Sequence, residues 1–170
     1  MDQVGSDFKK AMRRLTSAVS VISTAHDNTR HGITVTSVTS VSMNPPSILF
    51  CVNRSSRLHD PLICAGRFCV NILHAYQIDI ADAFAGRVTA EERFMVGEWA
   101  SGHGELPYLI PAQANIFCDT DAMSSYGTHS IVIGKVREVA VRGQVAPLLY
   151  QDGSYTVGLG EGVEWLVPVA

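Results

Sequence analysis

The chain has 170 residues, 46% of them apolar and 17% charged, enough to bury a core and too apolar for a disordered polypeptide. A formal charge of -3 gives no electrostatic attraction toward nucleic acid or an anionic membrane surface. No stretch approaches the roughly 20 consecutive apolar residues that a membrane-spanning helix needs.

In chain order, Ser6 reads as the cap of a short helix whose Phe8, Ala11, Met12 and Leu15 recur at i, i+3, i+4 and i+7. The charges around it (Asp2, Asp7, Lys9, Lys10, Arg13, Arg14) precede no apolar run, so a secretory signal is not expected. Residues 18–25 predict a strand and 26–30 a polar turn. Residues 32–43 are β-branched throughout and predict a strand that Asn44-Pro45-Pro46 must end. Residues 48–52 predict a short strand of the fully buried kind, 58–65 one or two helical turns closed by Gly66, and 68–73 another strand. Residues 76–85 predict a helix with Gly86 as its left-handed terminal residue.

The span 88–111, rich in Gly, Glu and single aromatics, predicts a long irregular excursion of the kind used as a functional flap. Strands are expected again at 112–118, 130–141, 147–150 and 155–157. Many short strands with few helices predict a mainly β fold, a barrel with helical insertions in a single domain over 1–170. Cys51, Cys64, Cys69 and Cys118 lie in apolar runs without staple-like spacing and read as reduced, buried thiols, which predicts a cytoplasmic protein.

The segment with most chemistry is Gly32-Ile33-Thr34-Val35-Thr36-Ser37-Val38-Thr39-Ser40-Val41-Ser42. Ile33 and Val35 keep one strand phase, Val38 falls on the other face, and Val41 returns to the first. That phase break predicts a bulge or bend near Thr36 and Ser37, which would free backbone N–H groups. Hydroxyls at 34, 36, 37, 39, 40 and 42 exceed what solubility requires. Free N–H groups beside short hydroxyls suit a ligand edge with several acceptors; a strand with one wet face explains the same pattern.

The run GITVTSVTSVSMNPPSILFCVNRSS (32–56) resembles the signature of the short-chain flavin reductase family. FCVNIL (68–73), Gln77, FAG (84–86), Arg93, Phe94, Trp99 and GTH (127–129) continue the family's markers in order across nearly the whole chain. The likeness is nearest to reductase components of the 4-hydroxyphenylacetate 3-monooxygenase type. It implies a homodimer of split β-barrels that binds FMN or FAD near the dimer interface and takes hydride from NADH or NADPH. Reduced flavin would pass to a separate monooxygenase acting on an aromatic or related organic substrate. The alternative on the same barrel is a non-catalytic or electron-transfer FMN-binding protein.

Carried over by position, Thr34, Thr36, Ser37 and Val38 would line the isoalloxazine ring, largely through backbone groups. Asn53, Ser55 and Ser56 would lie toward the ribityl chain and phosphate, and Phe84 and Ala85 would close over the flavin. His129, with Tyr155 at the same end of the cleft, would meet the dinucleotide. A neutral imidazole there donates or accepts at a carboxamide or pyrophosphate, although a strand-end histidine bonded to a loop carbonyl accounts for the residue equally. Many relatives carry Gly-Asp-His where this chain has Gly127-Thr128-His129, which weakens any transfer of the Asp role.

Other signals are set aside. Side chains alternate along the 68–73 strand, so Cys69 and His74 face opposite sides and no zinc set with Cys64 is expected. The glycines at 158, 160 and 162 open no βαβ unit, so they are no Rossmann fingerprint, and the dinucleotide is expected to share the flavin's cleft. Asp79 and Asp82 read as a solvated helix face.

Overall fold

In a computed structural model, which describes residues 3–158, the chain runs through helix α1 (Gln3–Met12) and strands β1 (Ser17–Ala18), β2 (Ser20–His26), β3 (Thr29–Val35), β4 (Thr39–Met43) and β5 (Pro46–Asn53). Helix α2 (His59–Ala65), strand β6 (Arg67–Ile72) and helix α3 (Ile78–Asp82) follow, the last widening into a π-like turn at Ala83–Arg87. Strands β7 (Trp99–Ser101) and β8 (Pro107–Leu109) form a small hairpin. The long β9 (Ala114–Tyr126) and β10 (His129–Val141), then β11 (Leu148–Gln151) and β12 (Ser154–Val157), complete the described chain.

The main sheet is antiparallel with strand order β3-β2-β6-β9-β10-β5-β4. Its two edge strands, β3 and β4, are consecutive in sequence, so residues 36–38 carry the chain from one edge to the other. At that crossing the Ser37 hydroxyl accepts from the Cys51 N–H at 3.0 Å and donates to the Cys51 carbonyl at 3.3 Å, tying the end of β3 to β5. The sheet therefore coils around an interior as a split β-barrel, as the family resemblance implies.

Inside lie Ile22, Phe50, Val52, Phe68, Val70 and Val132, closed at one end by Leu58 and Leu62 of the α2 segment. A second core on the outer face packs Val19, Val21, Leu73, Ile80, Phe84 and Leu109. Burial on both faces explains why Ser20, Val21, Ile22, Ser23 and Thr24 are all buried. Gly66 caps α2 with φ 63° and its N–H on the Leu62 carbonyl, as its position after Ala65 predicts. Asp27 and Asn28, with φ 48° and 58°, turn the chain between β2 and β3.

Several expectations fail for identifiable reasons. Ser6 lies inside α1, not at its cap, and no residue of that helix is buried: its Val4, Phe8 and Met12, with Leu15 beyond, form an uncovered apolar stripe. The 32–43 segment is two strands, not one. Burial alternates along β5, because only Ile48, Phe50 and Val52 enter the barrel. Cys69 and Cys118 are buried, with burial pushing the Cys118 thiol up to about 12, but Cys51 is half-buried and Cys64 is exposed on α2.

The 88–111 span is not a loose flap. Phe84, Phe94 and Trp99 stack at ring separations of 4.9 to 5.0 Å, and Leu106 and Leu109 are buried. The β8 backbone is held by a buried polar network: Asn71 Oδ1 accepts from the Leu109 N–H at 2.8 Å and from Asn115 Nδ2 at 2.9 Å, while Asn115 Nδ2 also donates to the Leu109 carbonyl at 3.1 Å. Asn71 Nδ2 donates in turn to the Val21 carbonyl and the Ser23 hydroxyl, both at 2.9 Å.

Candidate active site

Where β3 breaks, a cleft of about 460 Å³ opens, lined by Val19, Ile33, Thr34, Val35, Thr36 and Ser37, by Cys51 and Asn53 of β5, and by Ala85, His129, Tyr150 and Tyr155. Residues 36–38 fall between the last β2–β3 pairing, Ser20 with Val35, and the first β4–β5 pairing, Thr39 with Leu49. Their N–H groups thus have no ladder partner at the cleft edge. Gly32 is required just before it: a Cβ there would come 2.6 Å from Phe84 Cε1 and 3.2 Å from the Ile22 carbonyl.

The hydroxyls are less available than their number implies. Thr34 donates to the Ala81 carbonyl at 2.7 Å, anchoring α3 against β3, and the Ser37 hydroxyl is taken by Cys51. Thr36 is exposed and lines the cleft. Val38 faces a neighbouring groove of about 610 Å³, shared with Lys9, Met12 and Arg13 and continuous with the cleft through Thr36, Ser37 and Tyr150.

Asn53 accepts from the Ser55 N–H at 2.9 Å and the Ser55 hydroxyl at 2.8 Å, so its Oδ1 is occupied by its own turn while Nδ2 has no acceptor among the described residues. Ser56 accepts from the Leu58 N–H at 3.2 Å. Ser55 and Ser56 therefore build the turn after Asn53 and do not line the cleft. Of Phe84 and Ala85 only Ala85 reaches it; the Phe84 ring, 1% exposed, is core and cannot act as a lid.

The two-residue turn Gly127–Thr128, with Gly127 at φ 56°, delivers His129 to the start of β10, opposite both Tyr126 and Asn53. His129 is exposed, and its Nδ1 lies 2.9 Å from the Thr128 hydroxyl, leaving Nε2 toward solvent or ligand. The neighbouring Ser130 is fully buried and meets His59 Nε2 at 3.0 Å, while His59 Nδ1 meets Asp60 at 2.9 Å. This Asp–His–Ser line is no hydrolase triad, because a buried hydroxyl cannot reach an acyl substrate; it fixes the start of β10.

Tyr155, across the cleft, donates to Asp82 Oδ1 at 3.2 Å, and Asp82 Oδ2 holds Arg87 at 2.8 Å. Burial, then the Asp82 charge, pushes the Tyr155 phenol up to about 12, so it stays neutral at working pH. Asp82 is accordingly a half-buried support and not the solvated residue its sequence suggests. Sequence reasoning also missed Tyr150, whose ring meets that of Tyr155 at 5.5 Å; nothing in its local pattern separates it from an ordinary strand tyrosine. The glycine-rich stretch past Gly158 lies outside the described residues.

A flat ring system with a polar edge fits this space. The volume lies within the range of small-molecule sites, the floor is apolar, and donors stand at the strand break, at Asn53, at His129 and on Tyr150. Residues 12–158 match the family model described as flavin reductase like domain. The chain is 43% identical over 162 residues to the reductase component of an FADH(2)-dependent resorcinol hydroxylase from Rhizobium sp. (strain MTP-10005), covering 94% of this chain and 90% of that one. It is 35% identical over 152 residues to an FMN reductase (NADH) of Stutzerimonas stutzeri, covering 89% and 87%. Among solved structures, a homologue of nitrilotriacetate monooxygenase component B from Mycobacterium thermoresistibile superposes with a TM-score of 0.87 at 28% identity, covering 95% and 92%.

Proposed function

The chain belongs to the flavin reductase-like family, and from that footing we propose that it transfers hydride from NADH or NADPH to FMN or FAD and releases the reduced flavin to a separate monooxygenase component. The cleft at the β3–β4 break carries this reading, since it joins a donor-lined edge to an apolar floor with an exposed histidine at one end. Bound flavin supplies the electrophilic ring nitrogen that accepts the hydride.

The protein's share is positioning. Val19, Ile33 and Val35 exclude water beneath the ring. The N–H groups of residues 36–38 and Asn53 Nδ2 hold its acceptors. Tyr155, braced by Asp82, forms the facing wall with Tyr150. His129 Nε2 orients the nicotinamide carboxamide or pyrophosphate. No paired carboxylates are needed, because hydride transfer moves no proton from the protein.

NADH oxidation should therefore appear only when free flavin is added. His129→Ala should lower kcat/KM for NAD(P)H by roughly three- to tenfold, the worth of one neutral hydrogen bond, with flavin affinity near wild type. Stopped-flow anaerobic reduction checks this: a loss of several thousandfold would mean acid–base participation, and no loss would leave His129 a strand-end residue. Protein that retains flavin on dilution yet does not oxidise NAD(P)H would favour the electron-transfer alternative.

We also propose a cytoplasmic homodimer. The uncovered α1 stripe (Phe8 is 64% exposed) and the edge strand β4 with Val41 and Met43 are apolar surfaces of the kind a second copy covers. Light scattering should give twice the chain mass of 18.4 kDa at micromolar concentration. A fully active monomer would refute the dimer.

A further inference from the structure

The cleft's hydroxyls divide by where their protons go, and two of them give it to consecutive residues at the end of α3. Thr34 donates to the Ala81 carbonyl at 2.7 Å, and Tyr155 donates to Asp82 Oδ1 at 3.2 Å. A hydroxyl has one proton, so each of these oxygens keeps only acceptor capacity for a ligand. Asp82 leaves the phenol no alternative: a carboxylate cannot donate back, and its other oxygen, Oδ2, is held by Arg87 at 2.8 Å. The Asp82 side chain lies outside the cleft, in a neighbouring groove with Ile78, Arg87 and Val96. Burial, then the Asp82 charge, keeps the phenol protonated at working pH.

The other polar groups of the cleft differ. The N–H groups of residues 36–38 and Asn53 Nδ2 can only donate. His129 Nε2 and the hydroxyls of Thr36 and Tyr150, which meet no protein partner among the described residues, can donate or accept. The wall where α3 meets β3 and β12 therefore presents acceptors, while the strand-break side presents donors. The carbonyls and ring nitrogens of a flavin suit the donor side. Nicotinamide instead carries a carboxamide with two N–H donors. We propose that Asp82 is a positioning residue that fixes Tyr155 as a hydrogen-bond acceptor for the carboxamide N–H groups of the hydride donor, with Thr34 a second acceptor on the same wall. The proposal rests on the reductase reading for the identity of the ligand, and on the two hydrogen bonds for the polarity of the wall. Holding the carboxamide sets which way the nicotinamide lies against the flavin, and a site built to pair with an N–H rejects an analogue that lacks it.

The test compares NADH with its reduced 3-acetylpyridine analogue, whose methyl ketone keeps the carbonyl and lacks the N–H groups. The two donors differ in reducing power, a factor common to all variants, so the ratio of their kcat/KM values is read against wild type. Tyr155→Phe, which keeps the ring against Tyr150, should lower the NADH preference by about three- to tenfold. Asp82→Ala frees the phenol proton to reach the ketone oxygen and should lower it as far. Asp82→Asn, which keeps an acceptor oxygen, should lose less. A merely structural Asp82 would weaken both donors alike and leave the ratio unmoved. Calorimetric binding of NAD+ against its oxidised 3-acetylpyridine analogue should show the same loss of discrimination without turnover. A ratio within about twofold of wild type in Tyr155→Phe overturns the proposal. So does an altered preference for FMN over 3-methyl-FMN in its place, which would put the flavin imide N–H at Tyr155. If the wild type reduces no flavin, the reductase reading fails and calorimetry decides alone. Tighter binding of NAD+ than of the analogue, lost in Tyr155→Phe, then supports the acceptor, and equal or absent binding refutes it.

Discussion

Replacing Gly134 with alanine is expected to destabilise the protein by about 1–3 kcal/mol, and with valine to abolish soluble folded protein. Gly134 lies on β10 beside the register shift between Ile133 and Gly134. A Cβ there would collide with Phe68 Cζ and stand 2.9 Å from both Phe68 Cε1 and Cys118 Cβ. Neither neighbour can yield. Phe68 is fully buried and packed edge-on to Phe50 at 5.0 Å, and Cys118 is 1% exposed on the adjoining strand. Urea unfolding should show a lower midpoint with unchanged slope. Adding Phe68→Leu to Gly134→Ala should recover part of the loss, giving favourable coupling between the two sites. Wild-type stability of the single variant would mean that the barrel wall is looser than this packing.

The second large effect is expected at Asn71. Asn71→Leu keeps the volume but removes the acceptor for the Leu109 N–H and Asn115, and the donor to the Val21 carbonyl and Ser23. All of these groups are buried at the junction of β2, β6, β8 and β9. Each orphaned group costs about 1–3 kcal/mol, and since Asn115 keeps its bond to the Leu109 carbonyl the total should be about 3–5 kcal/mol. Hydrogen exchange should show the 88–111 span opening before the barrel. A loss below about 1 kcal/mol, or exchange in that span unchanged, would contradict a network that pins the excursion.

Glycine and asparagine carry these effects, although neither is a catalytic residue. Both occur within or near the family's markers, and the structure supplies the reason for some of those markers. Gly32 is glycine because Phe84 lies against it. Gln77, 2% exposed, accepts from the His74 N–H at 2.7 Å and donates to the Pro111 carbonyl at 2.9 Å, tying the end of the excursion to the turn after β6. Asn71 holds the middle of it. A run of single aromatics and glycines reads as a flap only while its polar anchors, distant in sequence, are out of sight.

Local chemistry determined a good deal without tertiary information. The phase slip from Val35 to Val38 located the strand break within a residue or two, because side-chain alternation along a strand is strict and one extra residue must bend it. Gly66, the turn at Asp27–Asn28 and the starts of β10 and β12 followed from short-range backbone preferences. Which hydroxyls remain available for a ligand was decided only by the fold. Thr34 meets Ala81 and Ser37 meets Cys51 across 47 and 14 residues, and no local pattern encodes those distances. The same holds for Phe84, apolar in either role but placed by Phe94 and Trp99 in the core, and for Arg30, Arg57 and Arg93, ordinary surface arginines until the barrel closes and brings them together. Periodicity and turn chemistry act over a few residues, so the sequence carries them directly; competition for hydrogen-bond partners and the gathering of like charges exist only once distant segments share space.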